Sequence, residues 1–317
     1  MDNSLAIVDN KNPKVFIPDS IKRLVSMFVK NYLSDCTKCA YEKDIEQFFK
    51  FCVLKEYIFS HPRDISSTHF REYRDWLLSE GYQNSSVIRK MASIKQLMVW
   101  CHGEGIIDKN PLANVHYPKS KTISTTTAFS DEEVRKLLAL PNKESKSGSL
   151  HYAILVMLFH IGLRKSELIN IKLKDFKEER AHYILTIHGK GDKYRQVPII
   201  PFVRNVLETY KQKTGRTFAN TDYLFQPVRN NYSKTINKPL HTSAINWIID
   251  FYSKKAGIEK RVSPHSCRAT VVSHLLDNKV PIRDVATFVG HANIQTTSIY
   301  DKHRQNLDKS AAYKVQY

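Results

Sequence analysis

No stretch of this chain reaches the roughly 18 consecutive apolar residues of a membrane-spanning helix, so none is expected to cross a bilayer. The opening segment MDNSLAIVDNKNPK has no charged region followed by an apolar one. No secretory signal of the usual kind is therefore expected, and the expected location is the cytoplasm. Cysteine is scarce, with five residues, and the odd number excludes a fully paired disulfide framework. Cys36 and Cys39 form one C-x-x-C without a second pair or a histidine at finger spacing, and read as reduced helix residues. There is no Asp/Glu cluster with metal-ligand spacing, no G-x-x-x-x-G-K-[ST] loop, no internal repeat and no low-complexity tract. No metal and no cofactor is expected. Acidic residues are also in deficit: 31 Asp+Glu stand against 49 Lys+Arg, a net charge of +18. Such an excess implies a polyanionic partner, nucleic acid ahead of an anionic membrane surface.

What is present is enough for a folded protein. The chain has 317 residues, of which 42% are hydrophobic, so a core can be buried and two domains fit the length. Residues 1–16 are polar and are expected to be a flexible N-terminus. Residues 17–107 read as an all-α domain of four or five helices. IKRLVSMFVKNYL puts Ile21, Leu24, Val25, Phe28, Val29 and Leu33 on one stripe, and TKCAYEKDIEQFFKFCVLK repeats it with Tyr41, Ile45, Phe48, Phe49 and Cys52. Residues 108–128, with two prolines and several Ser/Thr, read as a linker. A second domain, 129–317, opens with a capping box of Ser130 and Glu133. It continues with the apolar helix HYAILVMLFHIG, two β-rich runs around GKGDK that read as a hairpin, and further helices from about residue 201. The fold class expected is mainly α with a small antiparallel β-sheet in the C-terminal domain.

The chemistry-bearing residues concentrate in that second domain. Arg164 lies in GLRKSEL, where Gly162 ends one helix and Ser166 is a candidate cap for the next. Lys190 lies in the HGKGDK turn, with Lys193 and Arg195 as close rivals. His265 and Arg268 follow the helix-starting pair Ser263-Pro264 and share one helix face. His291 follows Gly290 in VGHANIQTTSIY, which ends at Tyr300. A phosphodiester transition state carries negative charge on its non-bridging oxygens, which guanidinium forks match. In-line attack needs a nucleophile, and the departing alkoxide needs a proton. Two arginines, histidine or lysine acids and a hydroxyl make such a set without a metal.

In this order and spacing, GLRKSEL, GKGDKYRQVPI, PHSCRAT and VGHANIQTTSIYD resemble the tyrosine recombinase family, the phage integrases and Xer-like proteins. The resemblance runs over roughly residues 18–305 and makes the chain similar to a two-domain DNA clamp, a helical core-binding domain followed by a catalytic domain with a C-terminal helix. It implies a site-specific recombinase independent of metal and ATP. Tyr300 is then the nucleophile that forms a 3′-phosphotyrosyl link and frees a 5′-hydroxyl. Arg164 and Arg268 clamp the phosphate, His291 adds a hydrogen bond, Lys190 protonates the leaving oxygen, and His265 handles the proton around the nucleophile. Glu167 is a candidate orienter of Arg164. The alternatives are a type IB topoisomerase, with related tyrosine chemistry, and a non-catalytic DNA-binding protein on the same scaffold.

The resemblance also implies the partners. These are duplex DNA with inverted-repeat sites, a homotetramer on DNA formed from a monomer in solution, and accessory DNA-bending or directionality proteins. No membrane is involved. Candidate DNA-backbone contacts are Arg89, Lys90 and Lys95 on the fourth N-terminal helix, Lys119 and Lys121 in the linker, and Lys254, Lys255 and Arg261 ahead of the His265 helix. Phosphate contacts position a protein on DNA, whereas base contacts specify the sequence, and single-sequence reading does not reach the latter.

Overall fold

A computed structural model of the chain describes residues 18–57, 59, 61–119, 126–189, 193–228 and 236–300, which fall into two units divided between Lys121 and Thr122. Lys121, Lys190 and the tail beyond Tyr300 lie outside the described residues. No helix among the described residues is long and apolar enough to cross a membrane.

The first unit holds α1 (Asp19–Lys30), α2 (Asp35–Leu54), α3 (Ser67–Ser79) and α4 (Asn84–Gly103), with a short 3₁₀ turn at Pro62–Asp64. Phe48, Phe70 and Tyr73 are fully buried, with Phe48 stacked on Phe70 at 4.9 Å between ring centroids. Each such burial contributes about 1.5–3 kcal/mol. The expected stripes face this core with one exception. Leu33 is fully exposed, because α1 has ended at Lys30 and the chain has left the helical register. The expected linker is packed in its first half, where Leu112 and Val115 join the same core.

The second unit runs α5 (Asp131–Ala139), α6 (Lys146–Ile161), α7 (Lys165–Asn170), β1 (Phe176–Glu179), β2 (His182–His188), β3 (Tyr194–Pro198), α8 (Pro201–Thr214), α9 (Thr242–Lys255), α10 (Pro264–Asp277), α11 (Ile282–Val289) and α12 (Ile294–Ser298). Its α6 is buried almost all round, from Leu150 to Ile161, and organises the core. The Ser130–Glu133 capping box forms, with reciprocal bonds of 2.7 and 3.2 Å. The three strands make one antiparallel sheet in the order β1-β2-β3, and the expected hairpin closes through Gly189 N–H donating to the Lys193 carbonyl at 2.6 Å. The β1–β2 hairpin was not expected. Its turn residues Arg180 and Ala181 both have positive φ, +49° and +63°, so a tight turn stands there without the Asn-Gly or Asp-Gly that announces one.

Candidate active site

Two helix ends build the site. α6 stops at Gly162, whose φ of +66° is left-handed, and α11 stops at Gly290 with φ +71°. At the second end the Gly290 N–H reaches the Thr287 carbonyl at 3.1 Å and the His291 N–H reaches the Ala286 carbonyl at 2.9 Å. This is a Schellman closure, and it places His291 immediately beyond the turn. The last carbonyls of a helix carry partial negative charge and attract cations. Here arginines answer them. Arg268, on α10 and 2% exposed, donates to Gly162 O at 2.8 Å and to Val289 O. Arg164 donates to Gly290 O at 2.9 Å, and Arg195, on β3, donates to Phe288 O at 3.0 Å.

One carboxylate sits among these cations. Glu167 is 4% exposed. It accepts from Arg164 Nη1 at 2.6 Å and from both terminal nitrogens of Arg195 at 3.0 and 2.9 Å. Its second oxygen also takes the Arg164 backbone N–H at 2.9 Å. Arg164, and not Ser166, is therefore the residue preceding α7, and Glu167 closes that helix start. Burial pushes the Glu167 carboxyl up. The hydrogen bonds and charge of Arg195, and then the bonds from Arg164, outweigh it and hold the carboxyl below the usual range.

His291 Nε2 stands 3.4 Å from Arg268 Nε, and its Nδ1 stands 2.7 Å from Thr297 Oγ1, with Thr297 fully buried on α12. A guanidinium only donates, so Nε2 accepts and Nδ1 carries the proton. Loss of hydration, followed by the charges of Arg268 and Arg164, lowers the His291 pKa to about 4. Burial and the neighbouring charge of Arg164 lower that of Arg268 to about 9, which leaves it protonated at neutral pH. His265, at the first turn of α10, keeps an exposed face. Partial desolvation and then the charges of Arg268 and Arg164 lower its pKa, so the neutral imidazole is its neutral-pH form. Tyr300 is half-buried against the Val271, Val285 and Val289 cluster, contributed by α10, which carries Arg268, and by α11. Among the described residues neither the His265 ring nor the Tyr300 hydroxyl has a hydrogen-bond partner.

Of the six residues singled out in the sequence, the structure thus gathers five, Arg164, His265, Arg268, His291 and Tyr300; Lys190 lies outside the described residues. In the sequence Arg195 stands only as a rival for Lys190, and nothing about Thr297 in IQTTSIY marks it out. Among the described residues no group of three or more His, Cys, Asp or Glu is placed to hold a metal, and all five cysteines are free.

The DNA-contact candidates are mixed in character. Arg89 and Lys90 both bind buried Asp44 on α2, Arg89 with a fork, and Lys90 also reaches Gln47. Lys90 keeps only 13% of its side chain exposed. Lys95 lies over the Tyr117 ring at 5.7 Å. Lys254 pairs with Asp250 at 2.8 Å. Lys119, Lys255 and Arg261 are exposed.

Residues 128–306 match the Phage integrase family, and residues 24–105 match its N-terminal SAM-like domain. The chain belongs to the phage integrase family, the tyrosine recombinases. It is 32% identical over 270 residues to a tyrosine recombinase of Pseudothermotoga lettingae, covering 84% of this chain and 87% of that protein. It is 29% identical to the tyrosine recombinase XerD of Listeria monocytogenes, over 91% and 94% of the two chains. The lambda integrase tetramer bound to a Holliday junction shares the fold, with a TM-score of 0.67, 15% identity, and coverage of 91% of this chain and 78% of that one.

Proposed function

We propose that the protein is a site-specific DNA recombinase that cuts and rejoins strands through a 3′-phosphotyrosyl intermediate and a Holliday junction, without metal or ATP. The observation that carries this reading is the gathering of Arg164, Arg268 and His291 about one helix end, with Tyr300 packed against residues of α10 and α11. A phosphate diester brings one negative charge into a site holding three arginines and one carboxylate, so it meets net positive charge. The Tyr300 oxygen attacks phosphorus, the phosphorus–5′-oxygen bond breaks, and Lys190 protonates the departing oxygen. Neutral His265 takes the tyrosine proton, a role that its lowered pKa suits. The arriving phosphate accepts hydrogen bonds from Arg268, and its negative charge favours the protonated form of His291. A protonated His291 then donates through Nε2 while Thr297 keeps Nδ1 in place. The phosphotyrosyl ester retains the energy of the broken diester, so religation needs no nucleotide.

The basic excess supports duplex DNA as partner, with Arg89, Lys90, Lys95, Lys119, Lys121, Lys254, Lys255 and Arg261 as backbone contacts. The salt bridges to Asp44 hold Arg89 and Lys90 in fixed positions and leave one net positive charge in that cluster. The fold shared with a junction-bound tetramer supports four-fold assembly on DNA; a monomeric free state, a cytoplasmic location and accessory DNA-bending or directionality proteins complete the proposal. The test is covalent trapping on labelled, nicked duplexes from the DNA flanking the protein's own gene, in EDTA and without nucleotide. Wild type is expected to give an SDS-resistant adduct that Tyr300→Phe abolishes. DNA that binds yet yields no adduct would overturn the reading in favour of a binding protein. Relaxation of supercoils without site preference would favour a topoisomerase.

A further inference from the structure

We propose that Arg195 is a positioning residue that sets the phosphate-facing geometry and charge of Arg164 and Arg268; the proposal rests on the recombinase reading. Three successive carbonyls, Phe288, Val289 and Gly290, close α11, and each accepts from a different arginine: Arg195, Arg268 and Arg164 in that order. Two of those arginines also share Glu167. Arg195 is therefore tied at both ends of the constellation while touching neither Tyr300 nor a histidine through any hydrogen bond. Its side chain is only 11% exposed, and its guanidinium fills the space that a side chain on residue 290 would need. A Cβ there would lie 2.8 Å from Arg195 Nη1 and 3.1 Å from its Cδ. Gly290 is thus required twice, by its left-handed φ and by this contact.

The electrostatic consequence follows from the shared carboxylate. With Arg195 present, both terminal nitrogens of that residue take up much of the charge of Glu167. Arg164 keeps one bond to the carboxylate and one to Gly290 O, and its field remains directed at the site. Without Arg195, the buried carboxylate has Arg164 as its remaining side-chain partner. A bidentate pair is the preferred geometry of such a couple, and forming it draws Arg164 off Gly290 O. The Phe288 carbonyl is left without its arginine, and the end of α11 that holds Arg268 and His291 is released. A displacement of about 1 Å in a catalytic group costs on the order of a hundredfold in rate.

The experiment compares wild type with Arg195→Ala and Arg195→Lys on a nicked duplex that wild type traps, and reads single-turnover adduct formation at saturating DNA alongside the DNA Kd. Arg195→Ala is expected to slow the adduct step about a hundredfold, with a Kd within about threefold of wild type. Arg195→Lys, which fills the space but cannot fork, is expected to lose at least tenfold. Ethylguanidinium is expected to restore part of the Arg195→Ala rate, and ethylammonium none. A folded Ala variant, or the Lys variant if Ala does not fold, that reacts at the wild-type rate would overturn the proposal. So would a loss confined to Kd, or equal rescue by the two cations. A second readout needs no reaction. The terminal guanidinium N–H NMR signals of Arg164 and Arg268 are expected to be slow to exchange in wild type and broadened in the variant. If wild type traps no duplex at all, the recombinase reading fails, and unchanged signals in the variant would dispose of the positioning role as well.

Discussion

Glu167→Gln tests the electrostatic core of the site with almost no change in shape. Glu167 is 4% exposed and accepts three bonds from guanidinium nitrogens and one from a backbone N–H. A glutamine retains one acceptor oxygen, but turns an amide NH₂ toward an arginine that can only donate. Breaking a buried ion pair by neutralising one partner costs about 3–5 kcal/mol; the retained oxygen puts the expected loss near the lower end, about 3 kcal/mol. The sign of the pH dependence follows from the depressed carboxyl. The folded state holds its proton less tightly than the unfolded state. The stabilisation is therefore fully present above the unfolded value of about 4.3, and is lost as the pH falls from there toward the folded value, at no more than about 1.4 kcal/mol per pH unit. Trp247 is the only tryptophan of the second unit, so urea unfolding followed by fluorescence in a Trp76→Phe/Trp100→Phe background isolates that unit. Wild type is expected to lose stability below about pH 4.3 with a component that Glu167→Gln lacks. A loss under about 1 kcal/mol at pH 7, or two parallel pH profiles, would refute the assignment of Glu167 as a buried anion balancing Arg164 and Arg195.

Other expectations follow from neighbouring contacts. His291 should titrate by NMR far below an ordinary imidazole, near pH 4, and its Nδ1 should carry the proton at neutral pH. Because its folded value is depressed, it contributes stability that is fully present above about pH 6.5 and declines as the pH drops toward 4; a midpoint near 6.5 would contradict the arginine cage. Thr297→Val removes the fully buried hydroxyl beside His291 Nδ1. It is expected to cost about 1–3 kcal/mol in urea unfolding and to slow adduct formation about tenfold, so an unchanged rate would mean that His291 needs no such anchor. In the first unit, Asp44→Asn leaves Arg89, Lys90 and Ser93 without their shared carboxylate. A loss of about 3 kcal/mol, read through Trp76 and Trp100, is expected, and a neutral result would mark the cluster as a solvated surface pair.

How far the sequence could be read depended on whether a feature announces itself locally. Gly162 and Gly290 stand where helical stripes stop, and both prove to be left-handed helix ends; the Ser130–Glu133 box and the Gly189–Lys193 hairpin are equally local. Leu33 failed because a periodic stripe does not say where its helix ends, and the β1–β2 turn failed because Arg180 and Ala181 adopt positive φ without the residue types that usually signal it. Arg164, Arg268 and His291 are legible as an ordered set through the resemblance of their motifs to those of the tyrosine recombinases; the glycine stops by themselves mark only where helices end.

Arg195 shows what the pattern contained and residue type concealed. In YRQVPII, Arg195, Val197 and Ile199 alternate, and Val197 in β3 and Ile199 just beyond it are buried. Period-two alternation therefore assigned the arginine to the inward face of the sheet, where a lone charge is costly unless something receives it. Read as a surface basic residue in a charged turn, it was a rival for Lys190; read by its register, it required a buried anion within reach. Glu167, three residues beyond Arg164, is that anion, and it lies in a different sequence block because the sheet and α7 meet only in the folded unit. The candidate catalytic residues are named from the family resemblance that their order carries, whereas the contacts of Arg195 depend on which strand face turns toward which helix end.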